Sequence, residues 1–235
     1  MRAQAAVPAA HEPHHHPSYT DSLVRVLRVE VPPNSVTLLH SHAVDYTWVA
    51  VGASQVINAV EGKPDATINS ADGSVHFTRG GFSHIARNEG STPFFNVTIE
   101  LLRPQEHPRN LCEVVLAGEP TDCPRATTRA REHFSGVRIV PQFETDQLRV
   151  TMLTLDGGAT LLIQPSTAPP LLVNVDDTDG DATLRCELPG AAPRVPIGSR
   201  SGDVAVLDAS AMCAVRNPGS ARVRLLSLEF LRPAR

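Results

Sequence analysis

The chain has 235 residues, enough for one or two domains, and a net charge of −4 with both signs interspersed. That balance leaves no basic stripe for nucleic acid and no polybasic face for anionic lipid, and no apolar run approaches the ~20 residues of a membrane-spanning helix. With Pro 20 and Gly 15, the composition favours many short strands and turns over long helices, so the expectation is a globular monomer or homodimer that handles a small molecule.

In chain order, residues 1–19 read as an N-terminal tail. Ala3-Gln4-Ala5 has the small-x-small form of a signal-peptidase site, which makes a periplasmic or secreted location the first expectation and a cytoplasmic one the alternative. His14-His15-His16, between Pro13 and Pro17, is read as part of a solvated tail. Leu23 to Val31 alternates as a strand and stops at the turn Pro32-Pro33-Asn34. The apolar run Val36 to Leu39 then leads into His40-Ser41-His42. Side chains two apart on a strand share a face, so both imidazoles are expected to enter one interior.

Short alternating segments follow at Tyr46 to Val51, Gln55 to Val60, Ser74 to Thr78 and Phe94 to Leu102, parted by turns such as Gly62-Lys63-Pro64 and Ala71-Asp72-Gly73. Gly81 to Asn88 supplies a third histidine, His84, just after a glycine turn. Antiparallel strands closing into a barrel or double-sheet jelly roll would bring this segment beside the first histidine pair. His76 alternates with Val75 and Phe77 and is expected to face away from the core. Asn96, Thr98 and Glu100 form a polar stripe opposite Phe95, Val97 and Ile99, expected to be an outer face. His107 and His133 carry no pattern.

The second half repeats the first. A shift of 124 residues takes the strand at Leu23–Val31 to Gln147–Leu155 and Asn34 to Gly158. A shift of 129 overlays Gly73 to Pro104 on Gly202 to Pro233, matching Arg87-Asn88 with Arg216-Asn217 and the closing phrase Glu100-Leu101-Leu102-Arg103-Pro104 with Glu229-Phe230-Leu231-Arg232-Pro233. The chain therefore reads as a tail (1–19), a first barrel (20–119), a linker (120–135) with one short helix over Ala126 to His133, and a second barrel (136–235). Cys112 and Cys123 bracket a short loop that a disulfide is expected to staple. Cys186 and Cys213 either pair across the second barrel or remain buried thiols.

Three imidazoles on rigid strands suit one divalent transition-metal ion, Fe, Mn, Cu, Ni or Zn. A lone His-x-His on a strand is more often a surface or satisfied core pair, and here the second half serves as a control. Under the same shifts His40 becomes Gln164, His42 becomes Ser166 and His84 becomes Cys213, while Arg and Asn of the framework persist. Joint loss is what three residues with one purpose would show, and it predicts a second barrel without metal.

The two histidine segments resemble the paired motifs of the cupin superfamily, Gly-x5-His-x-His-x(3,4)-Glu-x6-Gly and Gly-x5-Pro-x-Gly-x2-His-x3-Asn. Here the first reads Asn34, His40, His42 and Gly52, and the second Gly73, Arg79, Gly81, His84 and Asn88. The resemblance covers both halves and implies a bicupin: all-β, two tandem jelly-roll barrels, with His40, His42 and His84 as metal ligands. The family's glutamate has no counterpart, and Asp45 or Tyr46 stands in its slot as fourth ligand or lining residue. The resemblance implies a metal-dependent enzyme acting on a small molecule, with an O2-using, dioxygenase-like oxidoreductase as the first reading. A Lewis-acid isomerase or lyase, and a non-enzymatic storage or sensor bicupin, are the alternatives.

Overall fold

The computed structural model describes residues 5–111, 115–118, 135–164, 170–178, 184–187, 195–207 and 212–231. Cys112, Cys123, His133, Ser166 and nearly all of the expected linker and its helix lie outside these. The chain forms two compact units, Met1–Pro104 and Gln105–Arg235.

Among its described residues the first unit contains eleven strands: β1 (Val7–Pro8), β2 (His15–Thr20), β3 (Val24–Val31), β4 (Ser35–Val36), β5 (His40–His42), β6 (Tyr46–Ala50), β7 (Ser54–Val60), β8 (Ala66–Ser70), β9 (Val75–Thr78), β10 (Phe82–Asn88) and β11 (Phe94–Leu101). One sheet runs β1-β5-β10-β7-β8 with β4 also on β10, and the other runs β2-β3-β11-β6-β9. Leu27, Val29, Tyr46 and Trp48 from the second sheet pack against Val56 and Ala86 from the first, so the sheets face each other over one core. This is the jelly-roll sandwich that the alternating segments predict. Residues 7–20 are not a solvated tail: they form β1, a 3-10 turn (Ala9–His11) and β2, and Ala9 is in the core.

The second unit repeats the order. One sheet runs Arg109–Asn110, Val137–Glu144, Leu148–Leu155, Val223–Phe230, Pro170–Asn174, Val204–Val206, its last five strands matching β2-β3-β11-β6-β9, and the other runs Thr160–Ile163, Cys213–Arg216, Leu184–Glu187, Val195–Gly198. Small framework bonds recur with it. Asn88 donates from Nδ2 to Val31 and Thr92 and accepts from the Gly90 N–H, while Asn217 donates to Leu155 and Ala221 and accepts from the Gly219 N–H. Asn34 takes a positive φ of 55° where Gly158 has 78°, a left-handed turn that Asn tolerates better than other side chains do. Cys213 is disulfide-bonded, and no free cysteine occurs among the described residues.

The halves differ at one place on the strand that carries the histidine pair. In the second unit Thr160 pairs with Arg216 and Ile163 with Cys213, an unbroken ladder. In the first, Val36 pairs with Arg87 but His40, not Leu39, stands opposite His84. The first half thus holds one extra residue, a bulge over Thr37 to Leu39. Thr37 satisfies both backbone groups of Ala86, accepting its N–H on Oγ1 and donating its own N–H to the Ala86 carbonyl. The displaced Leu38 N–H finds Glu12, and the Leu39 carbonyl accepts from Val7. Because strand side chains alternate, one inserted residue exchanges the faces. Val36 and Leu38 are exposed, and beyond the bulge His40 and His42 point inward with 0% and 2% exposure.

Candidate metal centre

Four imidazoles meet between the two sheets of the first unit. His40 and His42 come from β5 and His84 from the adjacent β10, with His84 directly across from His40. The fourth, His15, comes from β2 in the facing sheet and is 7% exposed. Ring centroids lie 4.3 Å apart for His40–His84, 4.6 Å for His15–His40, and 5.3 Å for both His40–His42 and His42–His84. One ring nitrogen from each of His15, His40 and His42 lies within 4.8 Å of the others, a spacing at which three histidines can hold a metal ion.

Three of the four rings are fixed from behind. His15 Nδ1 meets Glu12 Oε2 at 2.7 Å, His40 Nδ1 meets the Leu38 carbonyl at 2.9 Å, and His84 Nδ1 meets Asn58 Oδ1 at 2.6 Å. His42 Nδ1 lies 3.7 Å from Glu100 Oε1. What remains unmet is on the inside: His40 Nε2, His84 Nε2 and His42 Nδ1 are buried without a hydrogen-bond partner. An orphaned buried polar atom costs about 1–3 kcal/mol, so three together are a strong sign of a missing partner. Ring nitrogens anchored on one side and bare on the other are the arrangement of metal-ligating histidines.

Electrostatics agree. Burial pushes the His40 imidazole down to about 4 and His84 to about 2, so both are neutral and able to donate a lone pair near neutral pH. Burial also lowers His42, against an opposing pull from Glu100. Glu100 would be raised by its own burial, but His42 and Arg25 outweigh that and hold it below the ordinary carboxylate range. Arg25 Nη1 donates to Glu100 at 2.9 Å. Glu12 behaves alike: burial opposes ionisation, and hydrogen bonds from His15, Leu38 and His14 prevail. Two buried carboxylates against one half-buried guanidinium leave a surplus of negative charge around the rings, which suits a divalent cation.

Several expectations change here. Asp45 turns away from the cluster, accepting from Arg79 at 2.6 Å and from the Gly80 N–H at 3.0 Å. It pins a turn at which Gly80 is required, since a Cβ there would sit 2.3 Å from the Val44 backbone. Tyr46 does line the site, stacked on His42 with centroids 4.3 Å apart. The stripe Asn96, Thr98 and Glu100 faces inward, not outward, all three being at most 4% exposed. His76 is half-buried and stacked on Trp48 at 4.1 Å, with Ser74 Oγ 3.0 Å from its Nε2.

The internal control also sharpens. By strand register the counterpart of His40 is Ile163, not Gln164, which is exposed and beyond the strand. His15 stands opposite Val29 as Ile139 stands opposite Leu153, so Ile139 is the counterpart of His15. Ile139, Ile163 and Cys213 all belong to the second unit's apolar core. Where the first unit gathers imidazoles, the second has hydrocarbon and a disulfide sulfur. A cleft of about 550 Å³ touches the cluster at His42, bordered by Ser41, Lys63, Phe82 and Ser83. Ser41 and Ser83 alternate with the inward imidazoles, so the cleft runs over the outer face and reaches the centre at its edge.

No protein-family model and no curated protein matches the sequence. Among solved structures the chain is similar to AerE from Microcystis aeruginosa, at 11% identity and a TM-score of 0.56, over 94% of this chain and 99% of that one. It is similar to oxalate decarboxylase from Bacillus subtilis, a protein described with Mn(II) centres, at 12% identity and 0.56, over 92% and 70%. It is also similar to a salicylate 1,2-dioxygenase from Pseudaminobacter salicylatoxidans, at 12% identity and 0.55, over 90% and 72%. The fold is that of the cupins, present twice in tandem. With its inward histidines, the first copy gathers donors that could hold a metal ion.

Proposed function

We propose that the first unit holds one divalent transition-metal ion on His40, His42 and His84 and oxidises a small molecule with O2, in the manner of a dioxygenase. The observation that carries this reading is the set of three buried ring nitrogens without partners, two of them on rings anchored through the opposite nitrogen. An all-imidazole donor set suits Fe, Cu, Ni or Zn, with Mn next. The ion would supply an open coordination position and redox or Lewis-acid chemistry; the protein supplies neutral donors, fixed ring orientations and dry surroundings.

The residues present support oxidation over proton transfer. Glu100, the carboxylate nearest the rings, is committed to Arg25, and Tyr46 is raised by its burial, so neither is poised as a base. That places a Lewis-acid isomerase or lyase second. A non-enzymatic metal-binding role draws support from Tyr46, stacked on His42, and Phe82, tilted beside it at 6.0 Å, which take up space beside the rings. The disulfide at Cys213 supports a periplasmic or secreted location.

The test is elemental analysis of protein purified without added metal, then O2 uptake by the reconstituted protein over a panel of small carboxylic acids and phenols. Metal-dependent O2 consumption that disappears in His84→Gln is expected. Tight metal binding with no O2 consumption on any compound would turn the reading to storage or sensing.

A further inference from the structure

We propose that His15 is a metal ligand delivered from the facing sheet, with Glu12 as its positioning residue, so that the ion fastens residues 7–20 to the rest of the unit. This rests on the reading of the cluster as a metal site. His40, His42 and His84 belong to one sheet, and His15 is the imidazole that the opposite sheet contributes. Its ring lies 4.6 Å from His40 and 6.1 Å from His42, and it is one of the three histidines whose nitrogens fall within 4.8 Å.

Glu12 is fixed before it fixes anything else. It is 2% exposed, and its carboxylate accepts from the His14 N–H at 2.7 Å and the Leu38 N–H at 3.1 Å while holding His15 at 2.7 Å. Leu38 sits in the bulge and its carbonyl holds His40. A continuous chain His15–Glu12–Leu38–His40 therefore sets two rings from opposite sheets together. A carboxylate behind a ligating histidine holds the ring's direction and raises its basicity. The second unit, with Ile139 in the place of His15, shows that the framework accepts a branched hydrocarbon at this position.

The experiment compares the full-length protein with His15→Ile, Glu12→Gln and His84→Gln, using zinc(II) for affinity by chelator competition and cobalt(II) for its ligand-field spectrum. Hydrogen exchange of residues 7–20 is followed with and without zinc. Glu12→Gln is expected to weaken zinc about 10–100-fold, His15→Ile more than Glu12→Gln, and the cobalt spectrum of His15→Ile to show one nitrogen fewer. Zinc should slow exchange across residues 7–20 in the wild type. Unchanged affinity and an unchanged cobalt spectrum in His15→Ile, with His84→Gln still losing metal, overturn the role of His15 and leave the metal centre standing. If His15→Ile does not fold, the wild-type exchange decides: equal rates with and without zinc overturn the proposal. A wild-type protein that binds neither ion overturns the metal centre and this inference with it.

Discussion

His84 contributes a ring held by Asn58 on one side and bare on the other, while its counterpart Cys213 is buried in an intact core. His84→Gln is therefore expected to abolish tight metal binding and to leave the circular dichroism and unfolding midpoint of the metal-free protein close to wild type. Only the metal-loaded midpoint should fall, because a ligand stabilises the native state by mass action. A second prediction concerns acid. His40 and His84 titrate near 6.5 when unfolded and near 4 and 2 when folded. Below pH 6.5 the unfolded chain thus binds protons that the folded one refuses, and each such group removes up to about 1.4 kcal/mol per pH unit. Urea midpoints of the metal-free protein should decline as pH falls from 6.5 to 4.5 and level off above 6.5; a flat profile across that window contradicts neutral buried rings. His15 was within reach of the sequence, because the shift of 124 that aligns the first strands takes it to Ile139. Reading His14-His15-His16 as a tail hid it, since three adjacent histidines give no alternation to betray which one turns inward.

At the level of elements, the strands were legible because apolar and polar residues alternate through them: β6, β7, β9 and β11 fall within a residue or two of their expected segments. The bulge was not, because it depends on partners distant in sequence, Ala86, Glu12 and Val7. Nor was the face of β11. Both of its faces are buried, with Val97 and Ile99 at 0% and Thr98 and Glu100 at 4% and 3%, so polarity alone misleads about direction. Deleting Leu39 should close the bulge into an unbroken ladder like that of Thr160–Ile163, with His40 still opposite His84 in the place of Ile163, so the histidines should keep their inward face and the protein its metal. Metal lost by that variant would show that the bulge itself, and not the pairing with His84, sets the rings. The paired asparagines make a matching prediction about the framework. Asn88→Ala strips bonds from two carbonyls and an N–H, Asn217→Ala from three carbonyls and an N–H, and each should cost about 2–3 kcal/mol in denaturant unfolding.

For the whole molecule, duplication followed by divergence explains why one chain carries two sandwiches with the same strand order and different interiors. The second retains the asparagine turn and the closing strand but fills the central space with Ile139, Ile163 and Cys213. The measurement that bears most directly on this account is the metal content per chain after saturation with zinc and removal of the excess, made on wild type and on His84→Gln. One ion per wild-type chain and essentially none in the variant is the expected result. Two equally held ions per chain, none in the wild type, or full occupancy in the variant would contradict it.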